Sequence, residues 1–220
     1  MNSVVNIPFA NFDAAIFDMD GTMINNMAYH MKAWLQFAKK YGQELTEEEF
    51  KTRFSGKKND QLFRMFFNKE LTNEEIDSFT EDKEAIYREM YTTAIKEVPG
   101  LTNVIKTLQK QQKKLAIATT APKKNRDFGL EALHLEGLFD VILGDEHVTH
   151  GKPHPEIYLE TAKQLGIDPS RCLVFEDSPP GVAAGKAAGM TVVGMLTTHS
   201  EEDLKMADYH VSDFSEIVFI

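Results

Sequence analysis

Short apolar runs alternate with amphipathic stretches along most of the chain. Residues with strand character, bounded by turn residues, occupy positions 14–17, 114–118, 139–143, 172–175, 191–195 and 209–211. Apolar residues recur with helical spacing at 101–112, 123–133, 155–165, 181–188 and 201–206. Alternating strands and helices are typical of parallel strands joined by right-handed crossovers, with helices on both faces. The pattern predicts an α/β fold with a Rossmann-like, doubly wound parallel sheet.

One stretch breaks this alternation. Between residues 26 and 95 the chain has only helical patterns, at 29–41, 60–67 and 72–94, together with a capping-box start at Thr46-Glu47-Glu48-Glu49. The segment Val98-Pro99-Gly100 then returns the chain to the alternating pattern. We therefore predict an α-helical cap domain at residues 26–95, inserted into a catalytic core of residues 1–25 and 96–220.

Composition excludes some classes of function. The 34 acidic and 24 basic residues leave a net charge of −10, which argues against nucleic acid as a partner. The single cysteine, Cys172, lies in an apolar run and cannot form an internal disulfide, as expected in a reducing compartment. The N-terminal residues lack the pattern of a secretory signal, and no apolar run has the length of a membrane span. We expect a cytoplasmic monomer without a membrane partner.

The segment Asp18-Met19-Asp20-Gly21-Thr22 follows the first strand and carries the most informative chemistry. Residues two apart on an extended chain point to the same side, so Asp18 and Asp20 can face one opening. One carboxylate can then attack an electrophile while the other transfers a proton, as covalent phosphoryl transfer requires. The alternative is a solvated Asp-Gly turn that closes a strand.

Polar residues also follow three later strands. Thr119 and Thr120 precede a helix whose N-terminus can bind phosphate, although either residue could simply cap that helix. Lys152 lies between a glycine and a proline and offers a fixed charge for phosphate oxygens; the alternative is a surface lysine. Glu176 and Asp177 would repel each other unless a cation such as Mg²⁺ lay between them, although Asp177 or Ser178 could instead cap the next helix.

In a parallel sheet, the four groups of polar residues that follow these strands are expected to lie close together. Ligands of such sheets bind beyond the carboxyl ends of the strands, where all four groups of polar residues occur. Each alternative is reasonable for one group, but together they require the same coincidence at successive strand ends. The combination therefore favours a phosphate and Mg²⁺ site at this edge.

The same residues resemble a known family. The order of Asp18-Met19-Asp20-Gly21-Thr22, Thr119, Lys152 within Gly-Lys-Pro-His-Pro-Glu, and Glu176-Asp177-Ser178 is similar to that of the haloacid dehalogenase superfamily. More narrowly, the chain resembles the β-phosphoglucomutase-like phosphatases, whose helical cap follows the first strand. The resemblance implies that Asp18 is the nucleophile that forms an aspartyl-phosphate. It implies that Asp20 is the general acid and base.

The resemblance also implies the groups that bind phosphate and metal. Thr119, with Thr120 beside it, and Lys152 would hold the phosphoryl oxygens. Mg²⁺ would be bound by the Asp18 carboxylate, the Asp20 main-chain carbonyl and Asp177. Glu176 would contribute to Mg²⁺ binding either as a direct ligand or by contacting the residues that are ligands.

The chain departs from this pattern in two places. Many relatives have an aspartate where this chain has Asn25-Asn26. In the cap, the mutases have a lysine before a glycine and an arginine three residues after it, where this chain has Ser55-Gly56-Lys57-Lys58-Asn59. This second departure weakens the mutase interpretation, because a mutase must hold two phosphates in turn.

The cap offers few candidates for substrate binding. They are His30, Gly56, Lys57, Lys58 and Asn59. His30 is equally consistent with packing inside the cap. For His154, between two prolines, we expect a structural role in a turn.

Three hypotheses for the function follow. The leading one is a Mg²⁺-dependent phosphatase acting on a small phosphorylated metabolite, a sugar or polyol phosphate. The second is a β-phosphoglucomutase-type isomerase. The third is a non-catalytic phospho-acceptor similar to signalling receiver domains, against which Asp20 and the long insert both count.

Overall fold

The computed structural model of the chain describes residues 4–50, 52 and 59–220, with the backbone alone at 59 and 60. The chain divides into two compact units. The core unit consists of Met1–Asn25 and Ile95–Ile220, and the helical unit consists of Asn26–Ala94. Among the described residues, no helix combines the length and apolar character needed to cross a membrane.

The core unit is built on a parallel sheet. Its strands are β1 (Val5–Ile7), β2 (Ala14–Phe17), β3 (Lys114–Ala118), β4 (Val141–Leu143), β5 (Cys172–Glu176), β6 (Thr191–Met195), β7 (Tyr209–Val211) and β8 (Ile217–Phe219). Six of them form one sheet in the order β4-β3-β2-β5-β6-β7, in which every neighbouring pair is parallel. The predicted α/β fold with a parallel sheet is confirmed. Strand β2 lies near the middle, so the residues after it emerge between the ends of β3 and β5.

Two short strands were not predicted from the sequence. β1 and β8 pair in parallel as a separate two-stranded sheet, with Val5 opposite Ile217. Each strand is only three residues long. Their pairing joins distant parts of the chain, so no local pattern could indicate it.

The helices alternate with the strands in the core unit and dominate the helical unit. They are α1 (Met27–Lys40), α2 (Glu47–Glu49), α3 (Asn59–Phe67), α4 (Asn73–Tyr91), α5 (Leu101–Lys110), α6 (Lys123–Leu133), α7 (Glu156–Leu165) and α8 (Pro179–Ala187). The helix predicted at 201–206 is wrong, because these residues form turns. Ser200 and Asp203 each accept a hydrogen bond from the other's backbone N–H through their side chains, as at a helix start. The Leu204 N–H then donates to the Ser200 carbonyl at 3.1 Å, but the chain continues in turns until β7 begins at Tyr209.

Both faces of the central sheet are buried. On one face Ile16 and Val174 belong to an apolar cluster with Ile157 of α7. On the other face the rings of Phe17 and Phe175 stack with their centroids 4.8 Å apart. Burial of each such side chain contributes about 1.5–3 kcal/mol to stability. This two-sided burial holds β2 and β5 side by side, and with them the residues that follow each strand.

The helical unit has an aromatic core of its own. Trp34 and Phe37 of α1 pack against Phe63 of α3, with centroids 4.9 and 5.4 Å from that ring. Helix α1 also packs against α4. Thr46 and Thr72 form capping boxes at the starts of α2 and α4, which confirms the start predicted at 46–49.

Candidate active site

The chain turns sharply directly after β2. The Asp18 N–H donates to the Phe175 carbonyl at 3.0 Å, which continues the ladder between β2 and β5 by one residue. The Met19 carbonyl then accepts from the N–H of Ile24 at 3.2 Å, and the Gly21 N–H donates to the Ile24 carbonyl at 2.7 Å. Gly21 has a φ of +83°, a conformation that glycine adopts without a steric penalty. The turn therefore holds Asp18 in a buried position at the end of the sheet.

Lys152 lies among the ends of three strands. Its ammonium donates to Oδ1 of Asp18 at 2.8 Å, to Oε1 of Glu176 at 2.6 Å and to the Ala118 carbonyl at 3.2 Å. The Lys152 side chain is only 7% exposed, and its Nζ lies 5.1 Å from the centroid of the Tyr158 ring. Because an ammonium has three donors, these acceptors determine its position completely.

Glu176 receives hydrogen bonds on both of its oxygens. Oε1 accepts from Lys152 and from the Tyr158 hydroxyl, the latter at 3.2 Å. Oε2 accepts from the Ser178 N–H at 2.9 Å and from the Ser178 hydroxyl at 3.0 Å. A carboxylate has about four lone-pair sites, so these four donors occupy them. The contacts indicate that Glu176 orients Lys152.

Asp177 is held by two hydroxyl groups. Thr22 donates to its Oδ1 at 3.2 Å, and Thr198 donates to its Oδ2. Thr198 also bonds the Asp177 carbonyl at 3.1 Å, and Nδ1 of His199 donates to the same carbonyl at 2.9 Å. The segment that follows β6 therefore positions this carboxylate.

The buried charges of this cluster are not balanced within the described residues. Carboxylate oxygens of Asp18, Glu176 and Asp177 lie within 4.8 Å of one another, and one ammonium, that of Lys152, contacts two of these acids. Burial raises the pKa of Asp18 well above its usual range; Lys152 opposes this rise, and the other two carboxylates add to it. Burial, together with Glu176, raises the pKa of Asp177 to about 7.

A divalent cation fits this arrangement. Three buried carboxylates and one ammonium carry a net charge of −2 when all are ionised, which a hard cation with oxygen ligands would neutralise. The Asp18 and Glu176 carboxylates also raise the pKa of Lys152, although burial alone would lower it. The lysine therefore stays protonated, and the unbalanced charge belongs to the acids.

The two threonines after β3 have different environments. Thr119 is buried, donates its N–H to the Leu143 carbonyl at 3.1 Å and accepts the Ala121 N–H on its hydroxyl at 3.2 Å. It follows Ala118, whose carbonyl accepts from Lys152, so it lies beside the lysine in the sheet. Thr120 is exposed. Pro122 occupies the N-cap of α6, so neither threonine has the simple capping role that was the alternative.

Asp20 lies two residues beyond Asp18 in the same turn. It is partly exposed, and its backbone pairs with Ile24 in an isolated bridge. Met19, between the two acids, is buried next to Gly129 of α6. The structure therefore gives Asp20 access to solvent while Asp18 stays enclosed.

The predicted cap residues fall into two groups. His30 belongs to a polar cluster inside the helical unit, where its ring stacks on Tyr87 at 3.9 Å and its Nδ1 lies 3.1 Å from Nζ of Lys83. Gly56, Lys57 and Lys58 lie outside the described residues. Asn59 is described by its backbone alone, as the first residue of α3.

Several residues of the site were not predicted. They are Thr22 as a partner of Asp177, Thr198, Tyr158, and Ser178 as a partner of Glu176. Ser178 also caps α8, which was one of the alternatives for this segment. A signal for one of them existed, because Thr197-Thr198-His199 follows a strand just as the other polar groups do. Tyr158 had no such signal, since it lies within an amphipathic helix.

Comparison with protein families shows the family to which the chain belongs. Residues 15–195 match the model of the haloacid dehalogenase-like hydrolases, and the chain belongs to this family. A curated relative is the phosphorylated carbohydrates phosphatase of Thermotoga maritima, 31% identical over 88% of this chain and 88% of its own. Together these matches identify the chain as a phosphoric monoester hydrolase.

Solved structures agree with this family. A hydrolase of family IA, variant 3, from Entamoeba histolytica superposes with a TM-score of 0.87 at 33% identity, covering 94% of this chain and 96% of its own. The β-phosphoglucomutase of Clostridium difficile superposes with a TM-score of 0.77 at 28% identity, covering 93% and 92%. The chain is therefore similar to the β-phosphoglucomutase-like members of the family.

Proposed function

We propose that this chain is a Mg²⁺-dependent phosphatase that hydrolyses a sugar or polyol phosphate through an aspartyl-phosphate on Asp18. The observation that carries the proposal is the buried Lys152 ammonium, shared by Asp18 and Glu176 beside the Asp177 carboxylate. The substrate class is supported by the relative named a phosphorylated carbohydrates phosphatase.

The metal ligands would be the carboxylates of Asp18 and Asp177 and the main-chain carbonyl of Asp20. When bound, Mg²⁺ supplies positive charge that offsets both the clustered acids and the phosphoryl oxygens. A direct bond from Glu176 would displace one of its four hydrogen-bond donors. Glu176 therefore acts by holding Lys152.

In the first half of the reaction, an Asp18 oxygen attacks the phosphorus of the substrate. The bond between phosphorus and the ester oxygen breaks, and Asp20 gives its proton to that oxygen as the alcohol leaves. A phosphoryl oxygen would replace the Asp18 oxygen on the Lys152 ammonium, which Glu176 and the Ala118 carbonyl continue to hold. Lys152 and the Thr119 hydroxyl would then hold the phosphoryl oxygens in line for the attack. Because phosphoryl transfer depends mainly on position and charge, the fixed ammonium is well suited to this task.

In the second half, water attacks the phosphorus of the aspartyl-phosphate. Asp20, now ionised, takes a proton from the water as the bond from phosphorus to the Asp18 oxygen breaks. Inorganic phosphate leaves, and both aspartates return to their starting states. The partial exposure of Asp20 is compatible with proton exchange with solvent.

The test is phosphate release by purified protein with Mg²⁺, using p-nitrophenyl phosphate and a panel of sugar and polyol phosphates. We expect turnover by the wild type and loss of it in Asp18→Asn and Asp20→Asn. Asp127→Asn is the matched control, because this exposed aspartate pairs only with Lys123 among its described partners. Failure of the wild type on every substrate, with Asp18→Asn no different, would overturn the proposal.

A mutase is the second candidate, favoured by the similarity to the β-phosphoglucomutase structure. A mutase would convert a hexose 1-phosphate into the 6-phosphate when primed with a bisphosphate. Phosphorus NMR of the same mixtures separates the two activities, because the phosphatase yields inorganic phosphate as its phosphorus product. Stable phosphate on Asp18 without turnover would instead indicate a phospho-acceptor.

For the helical unit we propose the role of a cap that selects the substrate. Its candidate binding residues are His30, Gly56, Lys57, Lys58 and Asn59. Substitution of Lys57 and Lys58 by alanine should raise KM for the best sugar phosphate and leave the rate on p-nitrophenyl phosphate nearly unchanged. Equal effects on both substrates would contradict a role in selection. The cytoplasmic location and the monomeric state stay predictions.

A further inference from the structure

Three side chains of metal-ligating type cluster in the loop after β4 and at the first residue of α7. His150, His154 and Glu156 each offer a ligand atom, and these atoms lie within 4.8 Å of one another. We propose that these residues bind a divalent transition metal ion at a second site, separate from the Asp18 and Asp177 carboxylates. The side chains of both histidines are more than half exposed, so an ion can reach them from solvent.

The spacing of the donor atoms suits a metal ion. Nδ1 of His150 lies 2.9 Å from Oε2 of Glu156, and Nδ1 of His154 lies 3.8 Å from the same oxygen. Tetrahedral ligands at zinc bond lengths are about 3.3–3.6 Å apart. The observed distances bracket this separation, and the two imidazole rings lie with their centroids 4.6 Å apart. Small rotations of the exposed rings would bring all three donors onto one ion.

The backbone already positions the carboxylate of this cluster. Oε1 of Glu156 accepts the Thr149 N–H at 2.8 Å, and Oε2 accepts the His150 N–H at 2.9 Å. Nδ1 of His154 accepts the Glu156 N–H in a long bond of 3.3 Å, which a bond from Nδ1 to the metal would replace. The carboxylate is therefore already held beside both histidines. A bound ion would replace two hydrogen bonds, the one from Nδ1 of His150 to Oε2 of Glu156 and the one from the Glu156 N–H to Nδ1 of His154.

The donor set distinguishes this site from the carboxylate cluster. Imidazole favours zinc, nickel and copper, whereas oxygen-only sites suit Mg²⁺. Three protein ligands leave one tetrahedral position for water. Because Lys152 lies between His150 and His154 in the chain, a bound ion would also restrain the segment that carries the active-site lysine.

The experiment is a Zn²⁺ titration of untagged protein in excess Mg²⁺, against a chromophoric chelator. The double variant His150→Gln/His154→Gln should bind one zinc ion fewer than the wild type. His134→Asn is the matched control, since His134 is an exposed histidine with a φ of +56° that asparagine tolerates. Equal zinc stoichiometry and affinity in the wild type and the double variant would overturn the proposal.

Hydrogen exchange provides a second readout that does not depend on activity. Zn²⁺ should slow exchange at the amides of Thr149 and His150 in the wild type, because both donate to the Glu156 carboxylate. The effect should be absent in the double variant, whose melting temperature without zinc reports that it folds. Zinc binding without any change at these amides would place the ion elsewhere and reject the site.

Discussion

A Cβ atom on Gly21 would lie 2.1 Å from Oδ2 of Asp177, so the glycine leaves the space that this carboxylate occupies. The same oxygen accepts a hydrogen bond from Thr198, which prevents it from moving away freely. Gly21 also has a φ of +83°. The turn after β2 and the acid after β5 are therefore mutually constrained, although 155 residues separate Asp177 from Thr22 in that turn.

Gly21→Ala should strongly reduce the activity of the enzyme. The new methyl group displaces the Asp177 carboxylate, and a displacement of about 1 Å in an active site costs on the order of 100-fold in rate. We expect kcat/KM to fall by about that factor, and the Mg²⁺ concentration for half-maximal activity to rise. Steady-state kinetics across a Mg²⁺ series measure both.

Gly166→Ala controls for backbone strain in this experiment. Gly166 has a φ of +70°, but a Cβ there would meet no atom within 4 Å. This variant should lose about 1 kcal/mol of stability and keep full activity. Equal activity losses in the two variants would mean that strain, not the clash with Asp177, explains the effect.

Thr198→Val should weaken metal binding. The hydroxyl of Thr198 bonds both the side chain and the carbonyl of Asp177, and loss of such supporting contacts typically lowers metal affinity about 10–100-fold. We expect the Mg²⁺ requirement to rise by a factor in that range, with less change in kcat at saturating Mg²⁺. Thr198→Ser retains the hydroxyl and should behave like the wild type; if it fails equally, packing is responsible.

Metal-free protein should lose stability as pH rises from about 4 to 7. Asp177 has a pKa of about 7 in the folded chain, against 3.8 as the ordinary value. Between these values the folded state retains a proton that the unfolded state releases, so the free energy of unfolding falls as pH increases. We expect a decrease of a few kcal/mol, about 1.4 kcal/mol per pKa unit at most.

Asp177→Asn tests this assignment. The variant has no proton to lose at this position, so its unfolding free energy in EDTA should change less over the same pH range. Denaturant melts at pH 4 to 7 measure the difference, with Asp127→Asn expected to keep the wild-type slope. An unchanged slope in Asp177→Asn would assign the effect to another group.

Cys172 should be inert in the folded protein. Its side chain is fully buried in β5, and burial raises the pKa of the thiol to about 12. Because the thiolate is the reactive form, a thiol reagent at pH 8 should label the native chain negligibly and the urea-unfolded chain stoichiometrically. The chain has a single cysteine, so the readout is unambiguous. Rapid labelling of native protein would contradict this environment.

The sequence by itself determined the alternation of strands and helices and the chemistry at the strand ends. Runs such as Ala14–Phe17 and the first four residues of β5, 172–175, are apolar because both faces of the sheet are buried, and that requirement is visible locally. Asp18, Thr119, Lys152 and Asp177 each follow an apolar run, so their placement at one edge was predictable. At 201–206 the local signal of a helix start is present in the contacts of Ser200 and Asp203, but the chain forms turns there before it enters β7.

Only the tertiary structure decided which of these groups form ion pairs or hydrogen bonds with one another. Lys152 reaches Asp18 across 134 residues of sequence, and Thr198 reaches Asp177 across 21. Parallel crossovers set such distances through the packing of whole strands and helices, which no local spacing encodes. For the same reason the pairing of β1 with β8, at opposite ends of the described chain, became apparent only in three dimensions.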